Sequence, residues 1–258
     1  MLLYGTLALC AITVALLVYR YDLYDREPVV MLLLAALLGA GAMHLAGRVQ
    51  VFGLLRLGED AIANHWVVST LAGTLEELAK LLVVLIFAGF LRRFFNDPID
   101  GLIYGSFAGL GCAVEESIGV LDRLEPGEGL PPQEVVRQLG HMVMGGIGGF
   151  GVGRLHRRSG SSPYPRERGA AGVIGMIAGC YAVAVALHFA WDVVALPAND
   201  SGAMTTRQRA IAVATMVAGL AVYGWMVGVG SRRSALVFGG ERPRGLWGWP
   251  FTGRAATR

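Results

Sequence analysis

The chain contains about seven apolar segments, each close to the roughly 20 residues that a helix needs to cross a bilayer. With 54% hydrophobic and only 16% charged residues over 258 positions, its composition is typical of a multi-pass membrane protein rather than a water-soluble domain. The sequence therefore predicts an all-α fold, a polytopic membrane helix bundle. The predicted spans are residues 2–19, 29–46, 66–90, 98–121, 132–153, 170–196 and 207–230.

Arginines are unevenly distributed among the connections between these spans. Most of them follow the first, third, fifth and seventh spans, whereas residues 122–131 and 197–206 are poor in arginine. Because positive residues collect on the cytoplasmic side of a membrane, the N-terminus is predicted outside and the C-terminus in the cytoplasm. The net charge of +3 is thus a topology signal and not a nucleic-acid-binding surface. A single transmembrane domain is predicted over residues 1–230, followed by a basic, aromatic-containing cytoplasmic tail over 231–258.

Glycines recur every four residues in the fourth and fifth spans. Small residues at this spacing let two membrane helices approach closely, so these two spans are predicted to pack tightly in the bundle. The glycines are Gly101, Gly105 and Gly109 in one span and Gly145, Gly149 and Gly153 in the other.

The third span carries three charged residues, Glu76, Glu77 and Lys80, within five positions. A charged side chain near the bilayer centre costs roughly 2.5–3.5 kcal/mol, so these groups must pair or face a polar cavity. Lys80 is the one lysine among 22 basic residues, and it is three and four positions from the two acids, the spacing of pairs on one helix face. A buried ion pair would explain one carboxylate. The second carboxylate is a candidate general base.

Further ionisable residues lie within the later spans at similar depth. At about 1.5 Å rise per residue, Glu76 and His141 lie roughly 15 Å from the outer ends of their helices. His188 lies about 12 Å and Glu116 about 8 Å from theirs. Asp192 is four residues after His188 on the same face, where its carboxylate can hold the imidazole. Groups from four helices are therefore predicted to converge on one layer, with Glu115 turned away from Glu116.

This polar layer contains the groups needed for hydrolysis inside a membrane. A carboxylate can take a proton from water, and a histidine can stabilise an oxyanion or protonate the leaving amine. In a metal-dependent version, His141, His188 and Glu116 are the candidate ligands of a divalent ion such as Zn²⁺, with Glu76 as base. No HExxH motif is present, so the metal-free version is preferred at this stage, and the presence of a cofactor stays open. An ion- or proton-coupled transporter and a non-catalytic membrane scaffold are the alternatives from other classes.

Five motifs follow one another in an order that resembles a known family. They are DLYDREP (Asp22 to Pro28), EELAK (Glu76 to Lys80), DGLIYGSFAGLGCAVEES (Asp100 to Ser117), a histidine at His141, and HFAWD (His188 to Asp192). The set resembles the PrsW family of intramembrane proteases, which is similar in motif layout to the CAAX prenyl endopeptidase and bacteriocin-processing group. The resemblance covers residues 19–192. Cys112 and Ser117 depart from the family's usual Phe and Asn without removing an ionisable group.

The resemblance implies that the membrane domain is an intramembrane endopeptidase of the bacterial cytoplasmic membrane. Its expected partners are the lipid bilayer and a membrane-anchored protein substrate, an anti-sigma factor in the family's known role; no nucleic acid is expected, and the oligomeric state is open. Glu76 is the expected general base, although spacing does not separate it from Glu77. The other expected roles are electrostatic partners for Glu77 and Lys80, oxyanion or leaving-group donors for His141 and His188, and supports for Glu116 and Asp192.

Overall fold

The structure, a computed structural model, describes residues 2–20, 26–124, 129–155, 169–201 and 204–238. Within those ranges the chain is helical and contains no β-strand, which confirms the predicted fold class. The helices are α1 (Leu2–Tyr19), α2 (Val29–Leu57), α3 (Glu59–Ile62), α4 (His65–Phe90), α5 (Asp100–Leu121), α6 (Pro132–Phe150), α7 (Ala170–Ser201) and α8 (Thr206–Phe238). Short 3₁₀ turns follow α4 at Arg92–Phe94 and α6 at Val152–Leu155.

Three helices in the described part of the chain are long and apolar enough to cross a membrane: Val29–Leu57, Ala170–Pro197 and Thr206–Ala235. The apolar stretch Leu3–Tyr19 of α1 is shorter. The remaining long helices, α4, α5 and α6, carry most of the buried ionisable side chains, which lowers their apolar character. The three long apolar helices support the prediction of a multi-pass membrane protein, whereas the count of seven spans stays a prediction.

Helix α2 continues beyond the predicted end of its span. The stretch Val51–Leu57 contains no proline and remains helical up to Gly58, whose φ of +95° lies in the region that residues with a Cβ rarely adopt. Residues 47–65, which separate the second and third predicted spans, are therefore mostly helix, divided between α2 and α3.

Helix α8 likewise extends into the predicted tail and ends at Phe238. The rest of that tail, residues 239–258, lies outside the described residues. The same holds for residues 21–25, which include the first part of the DLYDREP motif, and for the arginine-rich connection over 156–168.

Helix α5 occupies the centre of the bundle, and each of its residues from Asp100 to Ala113 is buried. Its glycines allow this because they bring neighbouring main chains into direct contact. A Cβ on Gly105 would lie 2.2 Å from the carbonyl oxygen of Gly145 on α6, and one on Gly111 would lie 1.8 Å from that of Ala36 on α2. The contact between Gly105 and Gly145 confirms the predicted close packing of the fourth and fifth spans.

The contact between α4 and α7 brings the charged stretch of α4 next to the histidine of α7. Helix α4 begins after Asn64, whose side-chain oxygen accepts a hydrogen bond from Trp66 N (3.0 Å), a standard N-cap. One helix turn before the two adjacent glutamates, a Cβ on Gly73 would lie only 3.4 Å from the main chain at Val185 and Phe189. The close approach of these two helices leaves His188 facing the acids of α4.

Candidate active site

The three charged residues of α4 are all buried in the bundle interior, with 7% or less of their surface exposed. Lys80 Nζ donates a hydrogen bond to Glu77 Oε1 at 2.5 Å. The pair is thus formed at a spacing of three, and Glu77 is the acid that neutralises the lysine. Glu76 Oε2 is buried and has no hydrogen-bond partner among the described residues.

His188 of α7 lies between the carboxylates. Its Nδ1 is 2.7 Å from Glu77 Oε1, and because a carboxylate accepts, the ring proton is assigned to Nδ1. The other ring nitrogen, Nε2, lies 3.5 Å from Glu76 Oε2 and 3.4 Å from Asp192 Oδ2. Glu77 therefore orients the imidazole, and the two remaining acids face its other ring nitrogen, Nε2.

His141 of α6 lies beside His188, with ring centroids 5.4 Å apart and an edge-on arrangement. His141 Nε2 is 3.3 Å from Glu116 Oε2 of α5. Its Nδ1 is buried and has no hydrogen-bond partner within the described ranges. Glu115 points elsewhere, as expected, and its Oε1 is 3.0 Å from His44 Nδ1.

Two further charged residues of α6 belong to this region and were missed by the sequence analysis. Arg137 forms an ion pair with Glu116 and a second one with Glu134, whose Oε2 is 3.2 Å from Arg137 Nε. Ser117 Oγ donates a hydrogen bond to the same Glu134 oxygen at 2.6 Å. The sequence does contain a signal for these two residues. Glu134, Arg137 and His141 are three and four positions apart inside a predicted span, which is the spacing of side chains on a single helix face.

Three of these side chains form a group suited to metal binding. Glu76, His141 and His188 each offer one ligand atom, and these atoms lie within 4.8 Å of one another. Two imidazole nitrogens and a carboxylate oxygen are the donor set of catalytic zinc sites that keep one position open. Buried Glu76 Oε2 and His141 Nδ1, which accept or donate no hydrogen bond within the described chain, fit that interpretation. Glu116, a predicted ligand, is not a member of this group and contacts Arg137 instead.

The group opens onto a cavity of about 470 Å³ among α2 and α4–α8. Glu76, Glu116, His141, His188 and Asp192 all line it. Glu77 and Lys80 do not, since they lie behind His188. The seven residues singled out from the sequence thus come together in one region. Five of them line the cavity, and of the other two, Glu77 contacts His188 and Lys80 contacts Glu77 from outside the lining.

The chain also matches a known protein family. A model described as PrsW family intramembrane metalloprotease matches residues 27–225, most of the chain and every residue of the site. No curated protein and no solved structure matches the chain.

Proposed function

Because the chain belongs to the PrsW family of intramembrane metalloproteases, and is thus a membrane peptidase, we propose that it hydrolyses a membrane-anchored protein in the cavity described above. The observation that carries this proposal is the group of Glu76, His141 and His188, three buried donors that converge on the cavity. The family description supports the metal-dependent version of the reaction over the metal-free one.

The three donors would hold a divalent cation, and Zn²⁺ suits their chemistry. The chemistry that such an ion supplies when bound is Lewis-acid activation of the scissile carbonyl and of water. Glu76, expected as the general base from the sequence, is assigned to the donor set because one of its carboxylate oxygens lies within 4.8 Å of a ring nitrogen of each histidine.

Asp192 is assigned the role of general base, which accepts the proton of the attacking water. This side chain lines the cavity, and its Oδ2 is 3.4 Å from the His188 nitrogen that Glu76 also faces. A carboxylate in this position can accept the proton and later return it to the leaving amine. Glu77 and Lys80 hold His188 in the ring orientation that directs Nε2 to the reacting centre.

The substrate class and the topology extend this proposal. We infer seven spans with the N-terminus outside and the C-terminus in the cytoplasm, from the arginine distribution, and a bacterial cytoplasmic membrane from the resemblance. The protease domain covers residues 1–230 and the cytoplasmic tail 231–258, α8 continuing into the first part of the tail. In this orientation the cavity lies toward the outer leaflet, so a single-span protein is cut near the outer face. An anti-sigma factor is the proposed example.

Metal analysis combined with proteolysis tests the proposed function. The purified protein in proteoliposomes is expected to contain about one equivalent of zinc and to cleave a co-reconstituted single-span reporter. His188→Ala should lose both the metal and the cleavage. Glu115→Gln, which alters a carboxylate paired with His44 outside the donor group, is the matched control and should keep the metal. Full cleavage by a metal-free preparation would overturn the metal-dependent mechanism.

A further inference from the structure

A series of charged contacts between α6 and α5 ends at His141. It runs from Glu134 to Arg137, from Arg137 to Glu116, and from Glu116 to Nε2 of His141. Glu134 is buried, with 1% of its surface exposed, and Arg137 is largely buried. Buried charges are tolerated where they are paired, and Arg137 supplies the cation for both acids of this series.

The contacts determine which nitrogen of His141 is available. Glu116 Oε2 faces Nε2 and accepts its proton, which leaves the lone pair on Nδ1. Nδ1 is the buried nitrogen without a hydrogen-bond partner in the described part of the chain. A carboxylate opposite one ring nitrogen is the usual device that orients a histidine ligand and raises its basicity.

The same arrangement occurs at the second histidine. There Lys80 holds Glu77, and Glu77 accepts the proton of His188 Nδ1, so that Nε2 is the available nitrogen. Each imidazole is therefore held by a carboxylate, and each carboxylate is held by a cation. The two sets come from different helices and leave opposite ring nitrogens available.

We propose that Arg137 is a positioning residue for the reaction, which acts through Glu116 to hold His141 with Nδ1 available as a donor. The part of this proposal that concerns a metal rests on the proposed function. The guanidinium suits the role because its planar fork contacts Glu116 and Glu134 at once. A lysine would offer a single charged nitrogen and lacks this fork.

The first test measures zinc affinity in the purified full-length protein by competition with a chromophoric chelator. Arg137→Gln is expected to weaken binding about 10- to 100-fold, the usual effect of losing a group that orients a ligand. Arg137→Lys should recover part of that loss, because it restores a charge next to Glu116. Arg48→Gln is the matched control, since Arg48 lines the same cavity from α2 and should leave the affinity unchanged. Unchanged affinity in Arg137→Gln would overturn the proposal.

A double-mutant cycle tests whether Arg137 acts through Glu116. In a Glu116→Gln background, the further change Arg137→Gln should cost little additional affinity, because the carboxylate on which it acts is gone. A full additional loss would show that Arg137 acts directly on the metal or on substrate, and would overturn the positioning role.

The ring proton of His141 provides a readout that does not depend on a metal. Isotope-labelled histidine NMR on the metal-free protein, which has only five histidines, is expected to show His141 protonated on Nε2. In Arg137→Gln the ring should populate both tautomers. If the wild type binds no metal but Arg137→Gln shows this change in tautomer, the positioning role stands and the metal-dependent function fails. An identical tautomer in both proteins would overturn the positioning role.

Discussion

Two groups of carboxylates lie at opposite ends of α5, and only one of them has the properties expected of an active site. Glu116 marks the active-site end, while Asp100 marks the other end, sixteen residues or about 24 Å away along the helix. The second group, which we call the basal cluster, consists of Glu27, Asp97, Asp100, Tyr104 and Ser234, all of them buried.

The two groups differ in the partners of their acids. In the basal cluster, Tyr104 donates its hydroxyl proton to Glu27, Ser234 donates to Asp97, and Asp100 Oδ2 accepts from the N–H groups of Asn96 and Asp97, each at 2.7 Å. None of its members lines the cavity. These contacts tie α8 and the loop before α5 to one end of the bundle.

At the active-site end, the acids face imidazoles and cations, and their oxygens reach a cavity. Burial of a carboxylate is thus not by itself a sign of catalysis. What distinguishes the site is access to a cavity and the convergence of a carboxylate with two imidazoles.

The sharpest test of this difference removes one charge from each group. Glu76→Gln is expected to reduce cleavage of a single-span reporter by about 10³-fold or more, because it removes a donor from the reacting centre. Asp100→Asn keeps an oxygen that can accept the same backbone hydrogen bonds and should leave cleavage per folded molecule at the wild-type level. Reporter cleavage in proteoliposomes measures both. Equal losses in the two variants would remove the distinction between the groups.

The assignment of Asp192 sharpens the comparison within the active-site end. Asp192→Asn is expected to lower kcat by about 10²- to 10⁴-fold, the usual contribution of a general base, and to leave the zinc content unchanged. Asp122→Asn, at the end of α5 and outside the cavity lining, is the control. Loss of zinc together with kcat would instead make Asp192 a ligand.

The close contact between α5 and α6, which lies between the two groups along α5, provides the next test. Gly105→Ala places a methyl group against the main chain of α6, so we expect a loss of about 1–3 kcal/mol in unfolding free energy and reduced cleavage, because α6 carries His141. Gly119→Ala on the same helix has open space around its Cβ and should be nearly neutral. Thermal unfolding in detergent compares them, and equal stability of the two variants would contradict the packing argument.

The smallest expected effect concerns the basal cluster alone. Tyr104→Phe removes the hydroxyl that donates to Glu27 and should cost about 1 kcal/mol, within the range found for hydrogen bonds between membrane helices. Cleavage per folded molecule should not change. A variant of normal stability but low activity would show that the basal cluster takes part in the reaction. Tyr181→Phe, which loses a bond to the main-chain oxygen of Thr74, is the control.

Several features of the site were predictable because burial in a membrane is costly. Glu76, Glu77, Lys80, His141 and His188 each stand out as ionisable groups inside an apolar segment, and such groups rarely occur there without a function. Arg137 and Glu134 escaped notice because they lie in the polar first half of α6, where a charge is not unusual in sequence.

The sequence by itself determined the helical class, the close contact of the glycine-rich spans and the residues that must share a buried layer. These follow from segment length, small-residue spacing and the cost of burying charge, which are properties of the chain alone. Only the tertiary structure decided that Lys80 pairs with Glu77, that Glu76 is left to join the histidines, and that Arg137 holds Glu116. Helical spacing puts both glutamates within reach of the lysine, and the choice depends on how α7 and α6 pack against α4 and which atoms they place beside each acid.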